Sequence, residues 1–313
     1  MSASAGLEQA AQYQPGLSWH PYADLIRFDK PVGTLLLCWP CYAGTALVAC
    51  NSDVFISPAL LVTVNAKLTV GCFLVRSLGC AWNDIVDQDI DRRVARTRLR
   101  PIPRGAISTV QAMIFAALQL LIGVAVVLTL LPRQCFFYGI PSIILVGLYP
   151  LAKRVTYYPQ VFLGVTMSWG VLLAFPALEK PMHVTSAGCL FTACTAWTAV
   201  YDTIYASQDV EDDVKIGVKS TMIRYKDNPR VFLRVVATVQ FSALISLGYT
   251  LRAGPIFYLL CGIPTGILGA MVEKVEFGNP ANCWWWFRKW NQLIGAGMAI
   301  ALLGEYTAKA SLA

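Results

Sequence analysis

The sequence has little charge and almost no histidine. Asp, Glu, Lys and Arg make up 14% of 313 residues, and the only histidines are His20 and His183. Soluble globular domains carry about 25% charged residues. Such a deficit, with 56% hydrophobic residues gathered into long runs, excludes an ordinary soluble domain. No Ser–His or Cys–His pairing is visible for nucleophilic catalysis. The ten cysteines are scattered, mostly inside apolar runs. Cys38 and Cys41 form a lone CxxC with no second ligand pair and no soluble βαβ context, so the thiols read as buried side chains. No Lys or Arg precedes Arg27, whereas Glu8 and Asp24 do. A matrix-targeting presequence is Arg-rich and poor in acids, and no early apolar core marks a secretory signal. Residues 1–26 therefore read as an exposed cytoplasmic tail. Residues 27–313 read as one domain, because the apolar runs continue without a composition break. The net charge of +7 matters less than where the basic residues fall, and nucleic acid is not an expected partner.

What is present is an all-α transmembrane bundle of about nine helices. A span needs about 20 mostly apolar residues. Candidates run near Val32–Cys50, Pro58–Ala81, Ser108–Leu131, Phe136–Pro150, Pro159–Leu178, Val184–Tyr205, Val231–Leu251, Pro255–Val272 and Gln292–Ala308. Alternate loops are basic, among them those carrying Arg92 to Arg104, Lys153 and Arg154, and Lys215 to Arg230. The opposite loops hold only Arg133, Lys180 and Arg252. This asymmetry puts the basic face in the cytoplasm. Trp284 to Phe287, followed by Arg288 and Lys289, fit an interfacial aromatic belt. Gly262 and Gly266 form a GxxxG suited to close helix packing.

Two acidic clusters end helices 2 and 6 on that face. Asn83, Asp87 and Asp91 fall at i, i+4 and i+8 on one helical face, with Asp84 at its edge. Asp202, Asp209 and Asp213 fall at i, i+7 and i+11. Like charges so spaced repel, so a cation should neutralise them. Carboxylates suit Mg²⁺, which usually also binds substrate phosphates. The fitting ligand has a phosphorylated head at the interface and an apolar tail between helices. Arg96 with Arg100, and Lys153 with Arg154, are candidate diphosphate contacts or else topology-setting charges. Arg27 and Lys215 join the substrate-binding set. Tyr205 is a substrate contact or an interfacial anchor. Arg76 lies seven residues before Asn83 within an apolar helix. A charge there is costly unless paired, which suggests a phosphate, an acceptor carboxylate or a structural partner.

The first cluster, followed by Arg96-Thr97 and Arg100-Pro101-Ile102, resembles the NDxxDxxxD motif and RTxxRP tail of the UbiA prenyltransferases. The segment Tyr201 to Ser220 resembles their YDTxYAxxDxxDDVKIGxKS stretch. Arg27 to Thr34, Tyr149 to Arg154 and Pro159-Gln160 match the 4-hydroxybenzoate branch. The resemblance spans about Arg27 to Lys226. It implies Mg²⁺-dependent ionisation of a prenyl diphosphate and attack on the resulting allylic cation by an electron-rich arene. By the same resemblance Asn83, Asp84, Asp87 and Asp91 form one metal group, Asp209 and Asp213 the other, and Asp202 polarises the acceptor hydroxyl.

Short homologues of this kind farnesylate aromatic polyketide acids in fungal meroterpenoid pathways. That reading, with an endoplasmic reticulum location, is the expectation. Trp82 and Trp169, beside presumed pocket regions, are departures from the 4-hydroxybenzoate enzymes. The alternative is 4-hydroxybenzoate polyprenylation for ubiquinone in the mitochondrial inner membrane. An ion-coupled transporter, whose sites should lie near mid-membrane on broken helices, fits acids at helix ends poorly.

Overall fold

The computed structural model describes residues 19–311. The first part of the expected tail, residues 1–18, lies outside them. A short helix, α1 (His20–Leu25), comes first, followed by α2 (Val32–Asn51), α3 (Pro58–Val86), α4 (Gln88–Asp91), α5 (Thr109–Leu130) and α6 (Arg133–Val155). The fifth expected span is α7 (Pro159–Met167) and α8 (Trp169–Ala177), broken at the fully buried Ser168. Then come α9 (Val184–Ala206), α10 (Val210–Ile216), α11 (Thr221–Arg224), α12 (Pro229–Leu251), α13 (Pro255–Lys274), α14 (Pro280–Trp285), a π-helical turn at Trp286–Trp290, and α15 (Asn291–Ala310). No strand occurs among the described residues.

The helix starts are written locally. Proline opens α3, α7, α12, α13 and α14, where its missing N–H costs no hydrogen bond. Ser108 caps α5 with a complete capping box: its hydroxyl accepts from Gln111 N at 3.2 Å, and its own N donates to Gln111 Oε1 at 2.9 Å.

Seven helices among the described residues are long and apolar enough to cross a membrane, with α7–α8 as one. Two others of matching length, α9 and α15, stand where the sixth and ninth spans were expected. They carry many small and polar residues because they pack inside the bundle: α9 against α12 and α7, α15 against α2 and α13. In contrast α5 buries only Ala112, Ala116 and Gln119 and exposes large apolar side chains such as Leu121 and Ile122. A helix apolar on all sides with so narrow a buried stripe has lipid for its other neighbour. Close crossings occur at Gly44, where an added methyl would stand 2.9 Å from Val171 Cα, and at Gly164, 2.6 Å from Thr195 O. The Gly262–Gly266 spacing brings nothing within 4 Å of either position, so that GxxxG is no close crossing.

The segment expected as a tail is packed over its last part. Leu25 is fully buried in a small cluster with Ala81, Ile85 and Ile102. This anchors α1 across the basic end of the bundle and brings Arg27, with a left-handed φ of 58°, over the end of α3.

Candidate active site

The basic loops meet at one end of the bundle. Lys219 N donates to Lys153 O at 2.9 Å, and Ala95 N to Asp212 Oδ2 at 3.0 Å. Beneath them lies a cavity of about 1290 Å³. Its mouth is charged. Its deeper walls are apolar and come from α3, α5, α6 and α8.

Neither acidic cluster sits on one unbroken helix. The α3 ladder stops at Val86, and Asp87 takes a non-helical φ/ψ of −94°, 7° before α4 resumes. The spacing survives because Asp87 N bonds Asn83 O at 2.9 Å and Asp91 N bonds Asp87 O at 2.8 Å. The second cluster breaks after Ala206 and restarts at Val210, with Asp213 N on Asp209 O at 2.8 Å.

Asn83, Asp91, Asp202, Asp209 and Asp213 line the cavity, as do Arg27, Arg76, Arg96, Arg100, Lys153 and Tyr205. Asp84 and Asp87 do not line it. Both carboxylates are fully buried in ion pairs. Asp84 receives Arg27 at 2.6 Å and Arg100 at 3.1 Å, and Arg100 also reaches Asp91 at 2.7 Å. Asp87 receives Lys153 at 2.5 Å, with Arg154 3.6 Å from its other oxygen. Arg96 clamps Asp209 through Nε at 2.9 Å and Nη2 at 2.5 Å, and its Nη1 donates to the Tyr205 hydroxyl at 2.9 Å. Two expected contacts fall outside the lining. Arg154 is spent on the Val86 carbonyl at 2.7 Å, and the exposed Lys215 lies 3.8 Å from Asp212.

Among the described residues no three Asp, Glu, His or Cys side chains gather closely enough to hold a metal ion. The expected metal groups are thus not preassembled, because Asp84, Asp87, Asp91 and Asp209 already have basic partners. The donors nevertheless fit a hard cation. Asp87 Oδ1 is buried without a hydrogen bond. Burial, reinforced by Asp209, pushes the Asp213 carboxyl up to about 6. Burial also raises the Asp91 carboxyl, against the pull of Arg100. Carboxyl groups held up in this way gain by meeting positive charge. Asn83, Asp91, Asp209 and Asp213 present oxygens from the two cluster ends to one cavity mouth.

Some lining residues were not singled out as site residues from sequence. Gly33, Tyr149, Gln160 and Lys219 belong to segments that carried the family resemblance, and that was their only signal. Trp284 and Phe287, expected in an interfacial belt, line the cavity instead. The Phe287 ring lies 5.0 Å from Tyr205 and 5.7 Å from both Tyr201 and Trp284. The π-turn that begins at Trp286 changes the angular spacing, so a 3.6-residue period could not place these rings. Trp169 also lines the cavity, whereas Trp82 spends its indole N–H on Gly147 O at 3.0 Å outside it.

Residues 37–293 match the UbiA prenyltransferase family. The chain belongs to that family. A 4-hydroxybenzoate polyprenyltransferase of Arabidopsis thaliana mitochondria is 40% identical over 84% of this chain, which spans 63% of that relative's length. The corresponding Schizosaccharomyces pombe protein is 36% identical over 93% of this chain and 81% of its own. A 4-hydroxybenzoate geranyltransferase of Lithospermum erythrorhizon is 38% identical over 84% and 83%. Among solved structures, a UbiA homologue from Aeropyrum pernix superposes with TM-score 0.68 at 20% identity, covering 88% of this chain and 98% of its own. One from Archaeoglobus fulgidus, bound to GPP and Mg²⁺, gives 0.63 at 17% identity over 91% and 99%. These two share the UbiA fold.

Proposed function

We propose that the protein transfers a polyprenyl group from its diphosphate to the ring of a 4-hydroxybenzoate-type acceptor. The observation that carries this reading is the cavity itself: a mouth lined by acids and bases from two helix ends, above an apolar channel, in a chain of this family. The charged mouth suits a diphosphate head and the channel suits its tail.

Mg²⁺ bound by Asn83, Asp91, Asp209 and Asp213, with Asp87 behind them, would neutralise diphosphate charge and make it a better leaving group. The chain's own residues do the rest. Arg96, Arg100, Arg27 and Lys153 can turn from their carboxylates to the phosphate oxygens. The allylic carbon–oxygen bond breaks, and its electron pair leaves with the diphosphate. Tyr205, Phe287 and Trp284 present ring faces that tolerate a nearby cation while excluding water. A carbon of the acceptor ring forms the new bond and then loses its proton. Asp202 lines the same cavity and accepts the acceptor's hydroxyl proton in a hydrogen bond, which makes the ring more electron-rich.

The length of the cavity supports a long donor. The lining on α6 runs from Lys153 to Cys135. About 18 helical residues at about 1.5 Å each give a path of roughly 27 Å. Such a path holds a tail of more than three isoprene units. Relatives named for 4-hydroxybenzoate favour that acceptor over a polyketide acid, and those named mitochondrial favour the inner mitochondrial membrane over the endoplasmic reticulum. A fluorescent fusion found in the endoplasmic reticulum would sink the location.

The deciding assay incubates the purified protein with Mg²⁺, prenyl diphosphates of graded length, and either 4-hydroxybenzoate or an orsellinic-type acid. Products are identified by mass. Prenylated 4-hydroxybenzoate, formed fastest with long donors, is the expected result. Product only from farnesyl diphosphate and the polyketide acid would overturn donor and acceptor together and establish the farnesylation reading.

A further inference from the structure

We propose that Lys67 and Arg133 together hold the phosphate of an anionic glycerophospholipid in the membrane leaflet opposite the active-site mouth. Lys67 stands half-buried within the span α3, and the exposed Arg133 is the first residue of α6. A charge within a spanning helix is costly unless something answers it. The main cations of the mouth are answered by Asp84, Asp87, Asp91 and Asp209. Among the described residues Lys67 and Arg133 form no ion pair and no side-chain hydrogen bond, and Glu179, in the turn after α8, pairs with neither.

Helix register brings the two cations to one level. Thr109 Oγ1 donates to Gln88 Oε1 at 3.0 Å, which sets the start of α5 beside the end of α3. From there the two helices run antiparallel, with Ala112 and Ala116 in one buried cluster with Ala81 and Ile85. Lys67 lies twenty-one residues before Gln88, and Leu130, the last residue of α5, lies twenty-one residues after Thr109. Both helices advance about 1.5 Å per residue, so Lys67 stands level with the α5–α6 turn that carries Arg133. Leu68 beside Lys67, and Leu131 and Cys135 on either side of Arg133, line the cavity, which places the pair around its deep end.

That level is a membrane boundary. The 22 residues of α5 match the length of about 20 that crosses the hydrocarbon layer, so the end of α5 marks the far edge of the bilayer on this side of the bundle. Lys67 reaches toward that edge, because helical side chains lean toward the N-terminus and α3 begins on the far face. From the pair back toward the bilayer centre the surface is apolar: Val70 and Phe73 of α3 and Phe137 and Ile140 of α6 are exposed. Two cations at the edge above an apolar surface match a lipid, with its phosphate on the cations and its acyl chains on the side chains below. A free phosphate leaves that surface unused. A zwitterionic headgroup brings its own ammonium to compete for the phosphate, so the pair selects an anionic one.

The test titrates the detergent-purified protein with phosphatidylglycerol or phosphatidylcholine and reads bound lipid by native mass spectrometry, without donor or metal. The wild type should bind phosphatidylglycerol about 10–30-fold more tightly, at about 5-fold for each cation near an anionic headgroup. Lys67→Gln and Arg133→Gln should each lower that preference about 5-fold, and the double variant should erase it. Lys67→Arg should keep it. Arg252→Gln is the control: Arg252 follows α12, which packs on α9 and α13 and not on α3 or α6, and its loss should leave the preference unchanged. If Lys67→Gln fails to fold, the exposed Arg133 decides. Equal wild-type affinity for the two lipids overturns the proposal, as does a preference that survives the double substitution. Release of phosphatidylglycerol by millimolar inorganic phosphate would show a free-anion site and overturn the lipid as occupant. None of these readouts involves prenyl transfer, so that reading stands or falls separately.

Discussion

Asp209→Ala should lower kcat at least about 10²-fold while the protein still inserts and folds, the scale seen when one electrostatic element of a transition-state site is removed. The reason is geometric. Asp209 is the carboxylate in the cavity lining that ties the second acidic cluster to the first basic loop, through the Nε and Nη2 of Arg96. Without it Arg96 keeps only the Tyr205 hydroxyl, and the mouth loses an oxygen donor beside Asp213. Glu211→Ala is the control. That side chain is exposed and, among the described residues, forms no hydrogen bond or ion pair, so its loss should change kcat less than about threefold, as surface substitutions generally do. The measurement is product formation by purified variants at saturating Mg²⁺ and donor. Near-wild-type turnover by Asp209→Ala would show that the two clusters do not act as one site.

Lys153→Ala should have two large effects at once. Asp87 is fully buried, and Lys153 is its nearest cation. Removing one member of a buried pair leaves a charge without a partner and costs about 3–5 kcal/mol. Here the lower end is expected, because Arg154 remains 3.6 Å away and Lys153 is partly exposed. The midpoint of thermal unfolding in detergent should fall accordingly. The donor KM should rise about 10–100-fold from loss of a charged phosphate contact. Lys153→Arg restores the charge and should recover most of the stability. Its fork cannot copy a compact ammonium at 2.5 Å, so the KM should recover less. A Lys153→Ala protein with unchanged unfolding but a raised KM would show that Arg154 alone suffices for Asp87. Unchanged KM would remove Lys153 from the diphosphate site.

By itself the sequence determined the class of the molecule and the chemistry of its mouth. Charge scarcity and long apolar runs required a helical membrane bundle, because backbone groups in lipid must be satisfied within a helix. The acidic residues announced themselves by spacing, since their order along the chain survives the breaks at Asp87 and after Ala206. The specific motifs from Arg27 to Lys226 gave the family. Tertiary structure alone decided what each acid meets. The family resemblance put Asp84 and Asp87 with the metal ligands, but the turn after α1 and the end of α6 deliver Arg27 and Lys153 to them, and neither carboxylate lines the cavity. Contacts at separations of 57 and 66 residues are invisible to periodicity. The same holds for the π-turn that carries Phe287 into the wall, and for the close approach of the Arg76 guanidinium to Gly33. A glycine has no side chain to advertise its use, so only the approach of another helix shows why that position must stay bare.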